Sequence, residues 1–259
     1  MQHDALRSAL RAAVSSASYG ASAQVSMSAI AAAVYPPGLD HAWRAVTCVE
    51  NHDLVLVDRD RRLPVLADSS APRSWYARSR SRVATGLLLT APGIPQLFMG
   101  QEFLESRPWD SNPGGPNLLD WAALHTGDKV MADHLRFTQE LMRLRSIQPA
   151  LRGDNVHPYH VSDANRVLAF HRWLSSGADV IVVASLNEST WWNYDLGFPV
   201  RGFWREVFNS DVYDNWVNPW VAGNGGGVEA AGSPMHGFAT SATVVIPANG
   251  IVVFTAPTI

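Results

Sequence analysis

The pattern of apolar residues changes at about residue 152, and this change limits the folds that the chain can adopt. Before that point, apolar residues at helical spacing, such as Leu6, Leu10 and Val14, alternate with short apolar runs of strand length. Helices are predicted over 3–17, 23–34, 74–91 and 128–147, and strands over 44–50 and 94–99. This order is typical of a parallel sheet with covering helices, an α/β architecture.

After residue 152 the chain consists of β-branched and aromatic runs separated by Asn, Gly, Ser and Pro. The strand candidates are 166–173, 179–185, 190–195, 202–208, 242–246 and 250–255. Residues 211–237 contain a run of glycines and are expected to form a long ordered loop. We therefore predict an α/β domain over residues 1–151 and an antiparallel all-β sandwich over residues 152–259.

Charge and hydropathy exclude several classes of function. The formal net charge of −3 and the pI near 6.3 provide no basic surface for nucleic acid or for an anionic membrane. Apolar runs such as 86–89 are far too short to span a bilayer. The first residues form an amphipathic pattern rather than a signal peptide, and Cys48 is the single cysteine. We expect a cytoplasmic protein that binds neither nucleic acid nor membranes.

The segment Val49-Glu50-Asn51-His52-Asp53 carries the strongest chemical signal, because polar side chains follow directly on an apolar strand. Parallel sheets and barrels place their active sites at such strand ends. A His next to an Asp can act as an acid/base couple or bind a pair of sugar hydroxyls. The alternative is a structural cap of the strand, in which Asn51 and Asp53 bond to local backbone.

Other candidate residues are ambiguous or carry no signal. Glu102 follows the second strand and is either a site residue or an ion-pair partner of an arginine. The histidines show no metal-ligand spacing, and no phosphate-binding or nucleophile-elbow motif occurs. We therefore expect no metal and no cofactor. Five tryptophans of the second half are either sandwich core or stacking platforms for sugars: Trp191, Trp192, Trp204, Trp216 and Trp220.

Several motifs together resemble the α-amylase superfamily of glycoside hydrolases and transglycosidases. They are CVENHD, RLP, RSRVATGLLLTAPG, IPQLFMGQEF and LLDW, in that order, followed by LGFPVRGFWREVFNSD and SATVVIPANGIVVF. The resemblance covers nearly the whole chain. Within the superfamily, the motifs are most similar to those of 1,4-α-glucan branching enzymes. The resemblance implies that residues 1–151 are the C-terminal part of a TIM (β/α)8 barrel and that residues 152–259 are the family's C-terminal all-β domain.

The resemblance also implies roles for individual residues. Asp53 matches the family's third carboxylate, which stabilises the transition state by holding sugar hydroxyls. His52 would bind the same sugar, and Asn51 would bind substrate and support the loop. Glu50 and Glu102 would hold these residues in place without contacting the sugar. The substrate implied is an α-glucan of the glycogen or starch type.

The chain departs from the family pattern in one respect. The retaining mechanism needs an Asp nucleophile and a Glu acid/base, yet the residues before the first strand offer only Asp4 and Asp40. We expect the C-terminal portion of a branching enzyme, inactive alone, with the N-terminal part of the barrel as its partner. The alternatives are a fragment of an α-amylase-type hydrolase and a non-catalytic glucan-binding module.

Overall fold

A computed structural model describes residues 1–112, 114 and 118–256. The α-helices are α1 Ala5–Ala17, α2 Met27–Val34, α3 Leu63–Ala67, α4 Trp75–Thr90, α5 Trp121–His125, α6 Lys129–Ile147 and α7 Pro149–Arg152. The strands are β1 Val46–Cys48, β2 Ile94–Gln96, β3 Val156–Ser162, β4 Val167–Trp173, β5 Asp179–Ser185, β6 Trp191–Phe198, β7 Gly202–Asn209, β8 Gly227–Ala230, β9 Thr240–Ile246 and β10 Ile251–Thr255.

The first half contains the predicted parallel pairing. β1 and β2 pair in parallel, from Val46 opposite Ile94 to Cys48 opposite Gln96, and the long helix α4 lies between them in the chain. Gln2 forms a parallel bridge to Val46 on the other edge of β1. Parallel strands need a crossover connection, which α4 supplies here. The ends of β1 and β2 therefore lie side by side.

Side-chain caps explain where the main helices begin. The Ser74 hydroxyl accepts a hydrogen bond from the amide of Ala77 and starts α4, and Asp128 caps α6 in the same way. The Ser26 hydroxyl caps α2, so this helix begins at Met27 rather than at residue 23 as predicted. Both predicted strands of this half are also shorter than expected, because the chain turns away soon after residues 48 and 96.

The second half is a two-layer β structure with mostly antiparallel pairing. One sheet has the order β3-β4-β5-β10-β7-β8, and β6 pairs with β9 in a second sheet. The two layers enclose a core to which Ile181, Phe198, Trp204 and Val244 belong. The six predicted strands all form. Two further strands, β3 and β8, were missed, and the predicted loop over 211–237 is wrong at β8, where Gly227–Ala230 pairs with β7.

The six-stranded sheet buries its other face against the helices of the first half. Phe170 and Val182 from this face belong to the same hydrophobic cluster as Leu10 of α1, Leu87 of α4 and Leu141 of α6. The two predicted domains therefore share one continuous core, and a boundary at residues 151/152 stays a prediction. Within the described residues, no helix is long and apolar enough to cross a membrane.

Candidate functional site at the end of strand β1

Glu50 anchors the segment that follows β1. Its side chain is completely buried and forms an ion pair with Arg62, with 2.8 Å between Oε2 and Nη1. The other carboxylate oxygen accepts a hydrogen bond from the amide of Leu63. A buried carboxylate needs such compensation, because its desolvation is costly. Glu50 is thus a supporting residue that turns no oxygen toward solvent.

Arg62 connects the ends of the two parallel strands. Its guanidinium donates to the carbonyl of Met99, beyond β2, at 3.1 Å from both terminal nitrogens. Its Nε donates to the carbonyl of Arg107 at 3.0 Å, and the cation lies 5.0 Å from the ring centre of Phe98. Arg62 therefore holds the β1 end, the β2 end and the following loop in one arrangement. The motif of residues 62–64 indicated its presence but not this role.

Asn51 bonds to local backbone, as in the alternative interpretation of this segment as a structural cap of the strand. It is 5% exposed, and its side-chain oxygen accepts from the amide of Leu54 at 2.9 Å. Its carbonyl also accepts from the amides of Leu54 and Val55. These bonds fold residues 51–55 into a tight turn, which directs the next two side chains outward. The predicted contact of Asn51 with substrate stays a prediction.

His52 and Asp53 project from this turn into solvent. Their side chains are 62% and 74% exposed, and the His52 Nε2 lies 3.3 Å from Asp53 Oδ1. An exposed pair of this kind contributes little to stability. The imidazole and the carboxylate are therefore free to exchange their mutual contact for hydrogen bonds to a hydroxyl-rich ligand.

Two aromatic side chains, Trp109 and Phe98, pack next to the exposed His52–Asp53 pair. The Trp109 ring meets His52 edge to face at 6.1 Å between centroids and contacts Phe98 at the same distance. Backbone hydrogen bonds between Trp109 and the 55–57 segment fix this position. Sequence reasoning missed Trp109, since it lies far from the motif in the chain and no periodicity marks it.

Glu102 is half-buried in a short 3₁₀ turn after Gly100. Its predicted role as the ion-pair partner of an arginine is not seen within residues 1–112, 114 and 118–256. Glu105 has that role: it is 1% exposed, pairs with Arg107 and accepts from the amide of Asp120 at 2.7 Å. Sequence reasoning singled out Glu102 and did not consider Glu105.

Some tryptophans of the second half are packed against other side chains, as expected for the sandwich core, and others are exposed, as expected for sugar-stacking platforms. Trp204 is completely buried in the sandwich core, Trp191 packs on Tyr194, and Trp216 stacks on Tyr213. Trp192 and Trp220 are 63% and 88% exposed. Within the described ranges, His, Cys, Asp and Glu side chains form no group of three that could hold a metal ion.

Comparison with known proteins supplies the context of this site. Residues 160–257 match the family model of the α-amylase C-terminal all-beta domain. The chain is 36% identical over 189 residues to 1,4-alpha-glucan branching enzyme GlgB 1 of Xanthomonas campestris pv. campestris (strain 8004), covering 69% of this chain and 25% of that protein. It is 34% identical over 191 residues to the GlgB branching enzyme of Rhodococcus jostii (strain RHA1), covering 70% and 25%. Residues 160–257 belong to the α-amylase C-terminal all-beta domain family.

Solved structures of a pullulanase and an α-amylase have the same fold over nearly the whole chain. The pullulanase of Anoxybacillus sp. LM18-11, complexed with maltotetraose, has a TM-score of 0.66 and 19% identity, covering 99% of this chain and 35% of that one. The α-amylase of Geobacillus thermoleovorans, complexed with acarbose, has a TM-score of 0.66 and 17% identity, covering 98% and 47%. At such identities the likeness concerns the fold alone. The matched part spans about a quarter of the curated branching enzymes.

Proposed function

We propose that this chain is the α-glucan-binding C-terminal portion of a 1,4-α-glucan branching enzyme. The observation that carries the proposal is the arrangement at the end of β1, where buried Glu50 and Asn51 present exposed His52 and Asp53 beside the Trp109 ring. An aromatic face next to hydrogen-bonding groups suits a pyranose, which has apolar C–H faces and a rim of hydroxyls.

In this proposal, residues 1–151 complete part of a (β/α)8 barrel and residues 152–259 form the all-β domain attached to it. The parallel pair β1–β2, the crossover helix α4 and the additional parallel bridge at Gln2 support a barrel origin. The N-terminal part of such a barrel is the proposed partner. A cytoplasmic location belongs to the same proposal.

The proposed roles are those that the resemblance implies, and the exposure of His52 and Asp53 and the hydrogen bonds of Glu50 and Asn51 support them. Asp53 accepts hydrogen bonds from hydroxyls of the sugar at the cleavage site and stabilises the positive charge that develops at its anomeric carbon. His52 binds the same sugar. Asn51 and Glu50 keep the turn in place, and Glu102 supports the site from the end of β2. The nucleophile and the acid/base would come from the partner.

The test combines binding with turnover. The purified chain is titrated with maltoheptaose by calorimetry, and its action on amylose is followed by iodine colour and by released reducing ends. We expect binding that Asp53→Ala weakens about tenfold, and no turnover. Glu229→Ala is a control that removes an exposed carboxylate of the second half. Turnover that disappears in Asp53→Ala would show that the chain is catalytically complete, and unchanged binding would exclude Asp53 from the site.

The non-catalytic binding module remains the second candidate, because Trp192 and Trp220 are exposed on the all-β half. Their rings could stack on sugars without any contribution from β1. Loss of maltoheptaose binding in Trp192→Ala or Trp220→Ala, together with full binding in Asp53→Ala, would favour this candidate over the first.

A further inference from the structure

A second cleft lies between the two halves of the chain. Its volume is about 450 Å³, within the range typical of small-ligand sites. One wall comes from the segment that follows α2 and contributes Tyr35, Asp40 and His41. The other wall comes from residues 154–156 and from Trp173 at the end of β4. None of these residues belongs to the site at the end of β1.

Two aromatic stacks border the cleft. The Trp173 ring lies on His171, with 4.8 Å between centroids and 20° between planes, and His171 is itself bonded to Asp179 at 2.6 Å. On the opposite wall, Trp43 stacks on His41 at 6.0 Å and 21° and is 58% exposed. The Trp173 ring is therefore held in one orientation before any ligand arrives, which lowers the entropic cost of binding.

Hydrogen-bonding groups lie between the rings. His41 Nδ1 and Asp154 Oδ2 are 3.3 Å apart in a pair that is partly open to solvent. Asp40 pairs with Arg44 at 2.9 Å and keeps 61% of its side chain exposed. Asn155 donates from its amide nitrogen to the Trp173 carbonyl at 3.2 Å, so its orientation is also fixed. Such groups both accept and donate hydrogen bonds at the edge of an aromatic face.

The charges limit the class of ligand. Asp40 is balanced by Arg44, whereas Asp154 faces His41, which adds a positive charge only when it is protonated. The cleft therefore offers no surplus positive charge to a phosphate group. The described residues do not form a group of three metal-ligating side chains here either. A neutral ligand with a flat apolar face and many hydroxyls fits best.

We infer that this cleft is a second binding site for a short α-1,4-linked glucan segment, separate from the end of β1. The inference rests on the proposed function for its choice of sugar. A second site on the same chain would hold a long glucan by two points, which raises the effective concentration of the polymer at the first site.

The experiment follows the tryptophan indole N–H signals of the ¹⁵N-labelled chain while maltoheptaose is added. Trp173→Phe and Trp43→Phe assign the two signals by their disappearance. We expect both signals to shift on titration, and Trp173→Ala to weaken this binding about tenfold. Trp121→Ala, the same change at a partly exposed position outside the cleft, leaves it unaltered. Asp53→Ala also leaves it unaltered.

A second variant is needed because Trp173→Ala removes the packing partner of His171. His41→Ala changes a half-exposed side chain and should weaken binding at the cleft severalfold while the thermal midpoint stays the same. If maltoheptaose shifts only signals that depend on Asp53, such as that of Trp109, the cleft site is refuted and the proposed function stands. If the cleft responds and Asp53→Ala changes nothing elsewhere, the proposed function fails and the cleft site stands.

Discussion

At the scale of single residues, His134 makes stability depend on pH. It is 2% exposed within α6, and burial, reinforced by the positive charge of Arg82, lowers its pKa from 6.5 to about 3. Between these two values the unfolded chain binds a proton that the folded chain does not. Stability therefore falls as the pH is lowered from about 6.5 towards 3.

The parent chain loses stability between pH 7 and pH 5. We predict that this loss is smaller by about 2 kcal/mol in His134→Gln, because the variant has no buried imidazole at this position. This value is the cost of keeping the imidazole neutral about 1.5 pH units below the pKa of the unfolded chain. Urea unfolding at both pH values measures it. Burial also lowers the pKa of His160, His171 and His236, so the comparison is the difference between variant and parent. Exposed His125→Gln is the control, and an equal pH dependence in His134→Gln would contradict the assignment.

The residues of the candidate site show what a sequence can and cannot reveal at this scale. The polar run after β1 marked the position of the site, because parallel sheets place their functional side chains at the ends of apolar strands. It could not separate inward from outward side chains: Glu50 and Asn51 are buried, whereas His52 and Asp53 are exposed. That division depends on Arg62, which lies twelve residues away from Glu50 in the chain.

At the scale of elements, the buried ion pair of Glu50 and Arg62 connects β1, β2 and the loop around residue 107. We predict that Arg62→Met destabilises the fold by about 3–5 kcal/mol, since it leaves an unpaired buried carboxylate. Equilibrium unfolding in urea measures this loss. Arg44→Met, which breaks the exposed pair with Asp40, should cost less than about 1 kcal/mol.

The double variant Glu50→Gln/Arg62→Met tests the reason given. Without the carboxylate charge, the penalty should be smaller than in Arg62→Met alone, although the carbonyls of Met99 and Arg107 still lose their donor. A double variant that is less stable than the single one would mean that the pair acts mainly through packing rather than through charge compensation.

Elements with a strong local signal were predicted well. α4 and α6 follow their caps at Ser74 and Asp128, and β5 follows a run of branched residues. The strands β3 and β8 were missed for a physical reason. β3 contains a proline at 158, two histidines and a serine, so its apolar pattern is weak. β8 is a four-residue edge strand next to glycines. Both are stabilised by the neighbouring strand rather than by their own pattern.

At the scale of the whole molecule, the decisive feature is the core that both halves share. The residues on one face of the six-stranded sheet pack against helices α1, α4 and α6, and those on the other face pack against β6 and β9. Arg166 adds a polar connection, because it donates to the carbonyl of Ala21 in the loop between α1 and α2. A sequence shows which positions are apolar but not which layer covers each of them.

This shared core predicts that the 259-residue chain unfolds in a single calorimetric transition. Val182 and Val183 are adjacent in β5 and both fully buried, but Val182 faces the helices and Val183 faces the second sheet. Each change to Ala should cost about 2 kcal/mol and lower the midpoint of the one transition by roughly 5 °C. Two separate transitions, of which Val183→Ala lowers only one, would instead show that the all-β half unfolds independently of the helices that cover it.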